Sequence, residues 1–181
     1  MSTATTDSNQ PFAPNPAIES RAVSAKSNPI LSSGADYTTD PAPFVAGGTL
    51  YVLTGRDTAR QGVNDFMMPE WQMLETRGDP MSGKWTHYPH FLKPDAVFKW
   101  ATPGRAYAAQ IVRGVDGRFY MYAPVVQAVT TNRDKFAIGV AVSNSPTGPW
   151  VDARPAGPIV SQSFPIANNI QNIDPTVLVD D

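Results

Sequence analysis

The chain has no cysteine among its 181 residues and only two histidines. Disulfides, thiolate nucleophiles and Cys-ligated zinc are thereby excluded. A histidine-assisted triad would have to draw on His87 or His90, and no Gly-x-Ser-x-Gly elbow supplies its serine. Charge is sparse, at 17% of residues with a net of −2. Such a surface offers no basic stripe to follow a phosphate backbone, so nucleic acid is not expected as a partner. No apolar run is long enough to span a bilayer, so no membrane partner is expected either. The first stretch also lacks the apolar core of a secretory signal. As written the chain reads as cytoplasmic, and as secreted only if its start is misplaced.

What the chain does have is 18 prolines and 13 glycines set in a 41% hydrophobic background. That density of breakers rules out long helices and cuts the sequence into short elements. Residues 1–27 are rich in Ser, Thr, Ala, Asn and Pro with apolar residues scattered singly, which reads as a disordered leader. Order is expected from Asn28-Pro29-Ile30-Leu31 onward.

From there every signal is β. Ala42 to Val45, the pair Gly47-Gly48, then Thr49 to Leu53 read as strand, tight turn, strand. The same grammar returns as Ala108 to Val115, Asp116-Gly117, then Arg118 to Tyr122. Further strands are expected at Trp71 to Thr76 and at Phe136 to Ser143. Each unit closes on a glycine-tryptophan turn, Ser82-Gly83-Lys84-Trp85 and Thr147-Gly148-Pro149-Trp150. Gly48 and Gly117, and likewise Trp85 and Trp150, mark an internal repeat of roughly 65–70 residues built from one four-stranded unit. Radial repetition of such sheets gives an all-β β-propeller, and a solenoid of stacked hairpins is the competing geometry. The reading puts one blade at about residues 30–100, a second at 101–160, and only the innermost strand of a third at 165–181. Two blades and a strand cannot close a ring.

Two Asp-Pro pairs stand at matching places in the repeat, Asp40-Pro41 and Asp174-Pro175. Proline biases the residue before it toward extended geometry, so each aspartate is expected at the mouth of an innermost strand. A lone Asp before Pro is a common turn initiator whose carboxylate caps local N–H groups. Recurrence in two units suggests instead two carboxylates facing one axial funnel, as acid/base cleavage of a glycoside requires.

Several segments together resemble glycoside hydrolase family 43, the five-bladed propeller family of arabinofuranosidases, β-xylosidases and arabinanases. They are Asn28 to Leu31 leading to Thr39-Asp40-Pro41-Ala42-Pro43, Tyr107-Ala108-Ala109-Gln110 with Gly117 to Tyr122, Ser145 to Trp150, and Asn172 to Asp181. The resemblance covers residues 28–181 and implies the N-terminal part of an incomplete propeller domain. It implies an inverting hydrolase in which Asp40 is the general base and Asp174 the carboxylate that tunes the pKa of the general acid. The acid is a glutamate on a later blade, beyond residue 181, so the chain alone is expected to be inactive. The implied partners are a carbohydrate substrate and the remaining blades of the same polypeptide.

Where relatives carry tryptophan, this chain has Tyr107, which together with Gln110 reads equally as a funnel residue or as blade packing. Asp57 lies in a loop that could reach the pocket or simply be solvated. Phe66 and Trp71 are the better candidates for a sugar platform, although packing explains them too. Trp85 and Trp150, recurring at one repeat position, read as core. His87 and His90 flank Pro89, which disfavours a chelating helix, and they read as ordinary surface or loop histidines. No cofactor is required; relatives can hold calcium at the propeller centre, but no Asp-x-Asp-x-Asp-Gly loop is present. A non-catalytic propeller module that binds glycans or proteins would explain the same repeats.

Overall fold

The computed structural model describes residues 10–34 and 36–180. Two antiparallel sheets carry nearly all of the regular structure. The first runs β2 (Tyr37–Ala46), β3 (Thr49–Asp57), β4 (Glu70–Arg77) and β5 (Lys84–Leu92) as a simple meander, with β1 (Arg21–Ser24) added outside β5. The second consists of β6 (Gln110–Arg113), β7 (Phe119–Val126) and β8 (Phe136–Ser143), with the short β9 (Val151–Asp152) and β10 (Val160–Ser161) both pairing with β8. A single helical turn, α1 (Pro94–Val97), lies between the sheets in sequence.

The β2–β3 turn is set by chemistry. Gly47 and Gly48 both adopt left-handed backbone, with φ of 55° and 68°, as a two-residue hairpin matching the strand twist demands. A Cβ on Gly47 would also come within 2.3 Å of the Gln10 carbonyl. In the second unit the expected two-residue turn at Asp116-Gly117 is longer. β6 ends at Arg113, and the connection closes through Gly114 N–H to Arg118 O and Gly117 N–H to Gly114 O. Gly117 takes the left-handed position at φ 81°. This is a tight turn followed by a bulge, the next commonest hairpin solution, and it leaves Val115 exposed outside the strand.

The core lies between the sheets. Tyr51, Leu53, Trp71 and Met73 of the first sheet meet Ile111, Phe119 and Met121 of the second, all essentially inaccessible. Phe44 stacks on Tyr51 with centroids 5.1 Å apart and leans on Phe119 at 6.3 Å. Phe98 lies flat against Gly139, where any Cβ would approach its ring to 2.8 Å. Both tryptophans that follow a glycine turn are buried, and Trp150 joins the main cluster. Glu75, at the edge of this core, accepts a hydrogen bond from Tyr88. Burial raises its carboxyl above the usual range, and burial with the neighbouring Glu75 pushes the Tyr51 phenol up to about 12.

Residues 10–27 are not the disordered leader that composition suggested; residues 1–9 lie outside the described residues. Phe12 sets its ring edge-on to Phe119 at 5.1 Å, under the Arg113 guanidinium. Asn15 donates from its backbone and side-chain amides to Thr147. Arg21 to Ser24 then pair with His87 to Lys84. The segment has no hydrophobic period because single anchors hold it, and its strand covers an edge of β5 that would otherwise be unpaired. The innermost strand expected within 165–181 also differs. A 3₁₀ turn covers Pro165–Ala167, and residues 171–180 run without a ladder partner among the described residues.

A buried polar chain fastens the first sheet on the side away from the second. Gln72 donates to the carbonyls of Tyr37 at 2.9 Å and Gly55 at 3.2 Å. Its own carbonyl accepts from His87 Nε2 at 2.7 Å, and His87 Nδ1 accepts from Arg21 Nε, while Arg21 pairs with Asp36. His87 is therefore a wholly buried strand residue rather than the surface or loop histidine expected, neutral with its proton on Nε2. Burial first, and the Arg21 cation next, lower its pKa to about 4. Unfolding frees it to take a proton near pH 6.5, so stability falls as pH drops from about 6.5 toward 4. Urea midpoints compared at pH 7 and pH 4.5 should show a smaller acid loss in His87→Gln than in the parent; equal losses would contradict the buried neutral imidazole. Phe12→Ala should lower stability by about 1–3 kcal/mol, below the full cost of a core phenylalanine because the ring is only partly covered. An unchanged thermal midpoint would return residues 10–27 to a passive tail.

Candidate active site

Asp40 sits inside β2, three residues past its start, and not at the mouth of the strand. Thr39 pairs with Gly55 and Ala42 with Leu53, so Asp40 and Pro41 together oppose the single residue Thr54. This is a β-bulge. Pro41 has no N–H to give the ladder, and the extra residue must leave the strand plane. Asp40 does so with φ 49°, a left-handed conformation in place of the extended one expected before proline. The local preference is overridden because the pairs on either side are fixed by the hairpin register and by Gln72 holding Tyr37 and Gly55.

Asp174 has the same φ of 49°, also before proline, and these two are the only non-glycine residues with positive φ among those described. Such a backbone costs on the order of 1 kcal/mol in an L-residue, least for Asp and Asn, and persists only where its surroundings impose it. Both side chains are exposed.

Gln110 opens β6, and its side-chain carbonyl accepts the Val177 N–H at 2.7 Å. The run that carries Asp174 is thus tied, three residues on, to the innermost strand of the second sheet. β6 in turn contacts β2. At the same end of the sheets the Ala106 N–H bonds to Met68 O, and the Trp71 indole donates to Tyr107 O at 2.7 Å. A Cβ on Gly55 would come within 2.2 Å of the Met68 methyl and 2.5 Å of the Thr39 hydroxyl, so both side chains would have to shift where the bulge and this junction meet. One end of the two-sheet body therefore carries Asp40, the run to Asp174, Gln110, Tyr107 and the loop after β3.

That loop, residues 58–69, is flanked by two open clefts. One, of about 500 Å³, is lined by Tyr37, Thr38, Thr39 and Asp57 with Arg60 and Asp65. The other, of about 370 Å³, has Phe66 facing Arg105 across Pro69 and Pro103. Asp57 is half-buried and its Oδ1 accepts the Ala59 N–H at 2.7 Å, so it organises the loop while lining the first cleft. Phe66 is 68% exposed. Tyr107 is half-buried, with its ring 5.0 Å from Phe136 and its hydroxyl accepting from Arg105.

Trp71 is not the sugar platform that its stretch of sequence suggested. It is 0% exposed, with its indole N–H spent on Tyr107 O. It is a core residue and cannot stack on a sugar, because β4 alternation turns it toward the second sheet together with Met73.

Arg56, Glu70 and His90 form a cluster at this end that the sequence did not single out. Arg56 donates through Nε and Nη2 to Glu70 Oε1 at 2.9 and 2.6 Å, and His90 Nδ1 lies 2.7 Å from the same oxygen. Glu70 is buried, and the pair bridges β3 to β4 at the base of the 58–69 loop. The Arg56–Glu70 pairing depends on strand register across a 12-residue gap, which leaves no sequence signal. His90, expected in a loop or at the surface, is an exposed residue of β5. Among the described residues no group of three or more His, Asp or Glu side chains could hold a metal ion.

Residues 26–181 match the model of the family described as glycosyl hydrolases family 43. A xylosidase/arabinosidase of Bacteroides ovatus is 32% identical over 126 residues, which is 66% of this chain and 36% of that protein. Among solved structures, an α-L-arabinofuranosidase from Clostridium thermocellum matches with a TM-score of 0.59 at 34% identity, over 78% of this chain and 43% of its own. A family 43 enzyme from Xanthomonas citri, complexed with xylotriose, gives a TM-score of 0.53 at 28% identity, over 69% and 33% of the two chains. The chain thus spans about a third to two-fifths of the length of these relatives. Its two sheets correspond to part of the propeller of those enzymes. The chain belongs to glycosyl hydrolase family 43.

Proposed function

We propose that this chain is the N-terminal portion of an inverting glycosidase that cleaves arabinose- or xylose-containing polysaccharides or oligosaccharides. Asp40 serves as the general base, and Asp174 tunes the pKa of the general acid. The observation that carries this reading is the shared left-handed backbone at the two Asp-Pro junctions. Two aspartates held in the same costly conformation at one end of the fold are better explained by the work of their carboxylates than by turn formation.

The chemistry needs three carboxyl groups. An ionised base takes a proton from water as the water attacks the anomeric carbon, while a protonated acid on the other face gives its proton to the departing oxygen. In inverting enzymes base and acid stand roughly 6.5–9.5 Å apart so that the water fits between base and sugar. A base on a bulge, exposed and aimed away from the ladder, suits that task. A second carboxylate close to the acid keeps it protonated at working pH by disfavouring another negative charge. The family resemblance puts the acid on a glutamate beyond residue 181. Tyr107, Phe66 and Asp57 border the clefts at the same end and are the substrate-contacting residues of this reading, with Gln110 holding the Asp174 run in place.

In the protein that carries this chain, Asp40→Asn should lower kcat on nitrophenyl arabinoside and xyloside by about 10²–10⁴-fold. Asparagine tolerates positive φ nearly as well as aspartate, so thermal stability should stay the same. Full activity in the variant would remove the base assignment. Asp174→Asn takes a negative charge from beside the acid and lowers the acid's pKa. The alkaline limb of kcat/KM should therefore move to lower pH, and an unmoved limb would count against the tuning role. Residues 1–181 assayed by themselves should show no hydrolysis of either glycoside above background; turnover that depends on Asp40 would place the acid within this chain.

A further inference from the structure

A third cleft at the same end of the fold has a different chemical character. It occupies about 570 Å³ between the β7–β8 connection and residues 168–171, three residues before Asp174. Its floor is apolar, made by Val126 and Phe136, and Phe136 packs against Tyr107. Its rim holds two cations, Arg133 and Lys135, both exposed. The ion pairs among the described residues join Arg21 to Asp36, Arg56 and His90 to Glu70, and Arg118 to Asp116, and they leave both of these cations out.

The one carboxylate on the rim, Asp134, makes no ion pair with either of them. Asp134 Oδ1 accepts the Phe136 N–H at 2.9 Å and so belongs to the turn. Gln162 clamps the two walls, accepting the Asp134 N–H at 3.0 Å and donating to Ile170 O at 3.4 Å. The backbone that carries Arg133 and Lys135 is therefore held at Asp134, between them.

We propose that this cleft binds a carboxylate-bearing sugar unit of the polysaccharide, a hexuronic acid branch or neighbour, through Arg133 and Lys135. The inference rests on the glycosidase reading of the adjoining site and adds to it a preference for acidic chains. A planar guanidinium matches a carboxylate in two-point geometry, and an ammonium adds charge. The Phe136 floor offers an apolar face to a pyranose ring. A neutral arabinan or xylan segment would leave both cations without an ion-pair partner among the described residues.

The test is calorimetric binding to the protein that carries this chain. The probes are a xylo-oligosaccharide bearing one glucuronic acid branch, an oligogalacturonate, and a neutral xylo-oligosaccharide of equal length. At low salt, one or both acidic probes should bind about tenfold more tightly than the neutral one, the scale of one good charge-assisted contact. Which acidic probe is preferred identifies the source of the carboxylate. The preference should vanish in Arg133→Ala/Lys135→Ala and fall as salt is raised. Both residues are exposed, so the thermal midpoint should be unchanged, and the charge-reversed Arg133→Glu/Lys135→Glu should disfavour the acidic probes. Equal affinity for neutral and acidic probes, or a preference untouched by the double variant, would overturn the proposal. The glycosidase reading fails separately, through an Asp40→Asn protein that still hydrolyses neutral substrates.

Discussion

A proline that cannot donate to a ladder, placed where the ladder continues on both sides, is the constraint from which the site follows. Pro41 interrupts β2 between two fixed pairs, Thr39 with Gly55 and Ala42 with Leu53. The strand absorbs the surplus residue as a bulge, and the bulge turns Asp40 out of the sheet with a left-handed backbone. A carboxylate in a regular strand would alternate into a face of the sheet. In a bulge it can be aimed elsewhere, and the aim is fixed as firmly as the strands around it.

The surrounding structure resists relaxation of that bulge. Gln72 holds the carbonyls of Tyr37 and Gly55, His87 and Arg21 hold Gln72, and Gly55 leaves room for Met68 and Thr39. On the other side of the sheet the aromatic contacts among Phe44, Tyr51 and Phe119 keep β2 against the second sheet. The second aspartate stands in a different setting: among the described residues its run has no ladder partner, and the Gln110 side-chain amide ties it to β6. The same backbone conformation thus occurs once inside a sheet register and once in a run tethered three residues on.

Much of the fold was legible in the sequence because β structure announces itself through turns. Gly47-Gly48 and the alternating residues after it located β2 and β3. The repeat of that grammar, with its closing Gly-x-Trp turns, located β7 and β8. What the sequence hid depends on partners far along the chain. Phe12 and Arg21 to Ser24 carry no pattern of their own and become ordered only because Phe119 and β5 receive them. Trp71 looked free because its stretch is irregular on one side, yet β4 register turns it inward. The recurrence of Asp-Pro was visible, but the left-handed backbone was not: the preference before proline is extended, and the strand pairs that override it are not encoded nearby.

On the proposed function, Asp40 and the Asp174 run serve one sugar-binding opening. A crystal structure of the protein carrying this chain, soaked with arabinose or xylose, tests it most directly. The expected result is a sugar bound with both carboxylates facing it and a water hydrogen-bonded to Asp40 beneath the anomeric carbon. A sugar bound elsewhere, with either aspartate turned to bulk solvent away from it, would rule out a shared opening.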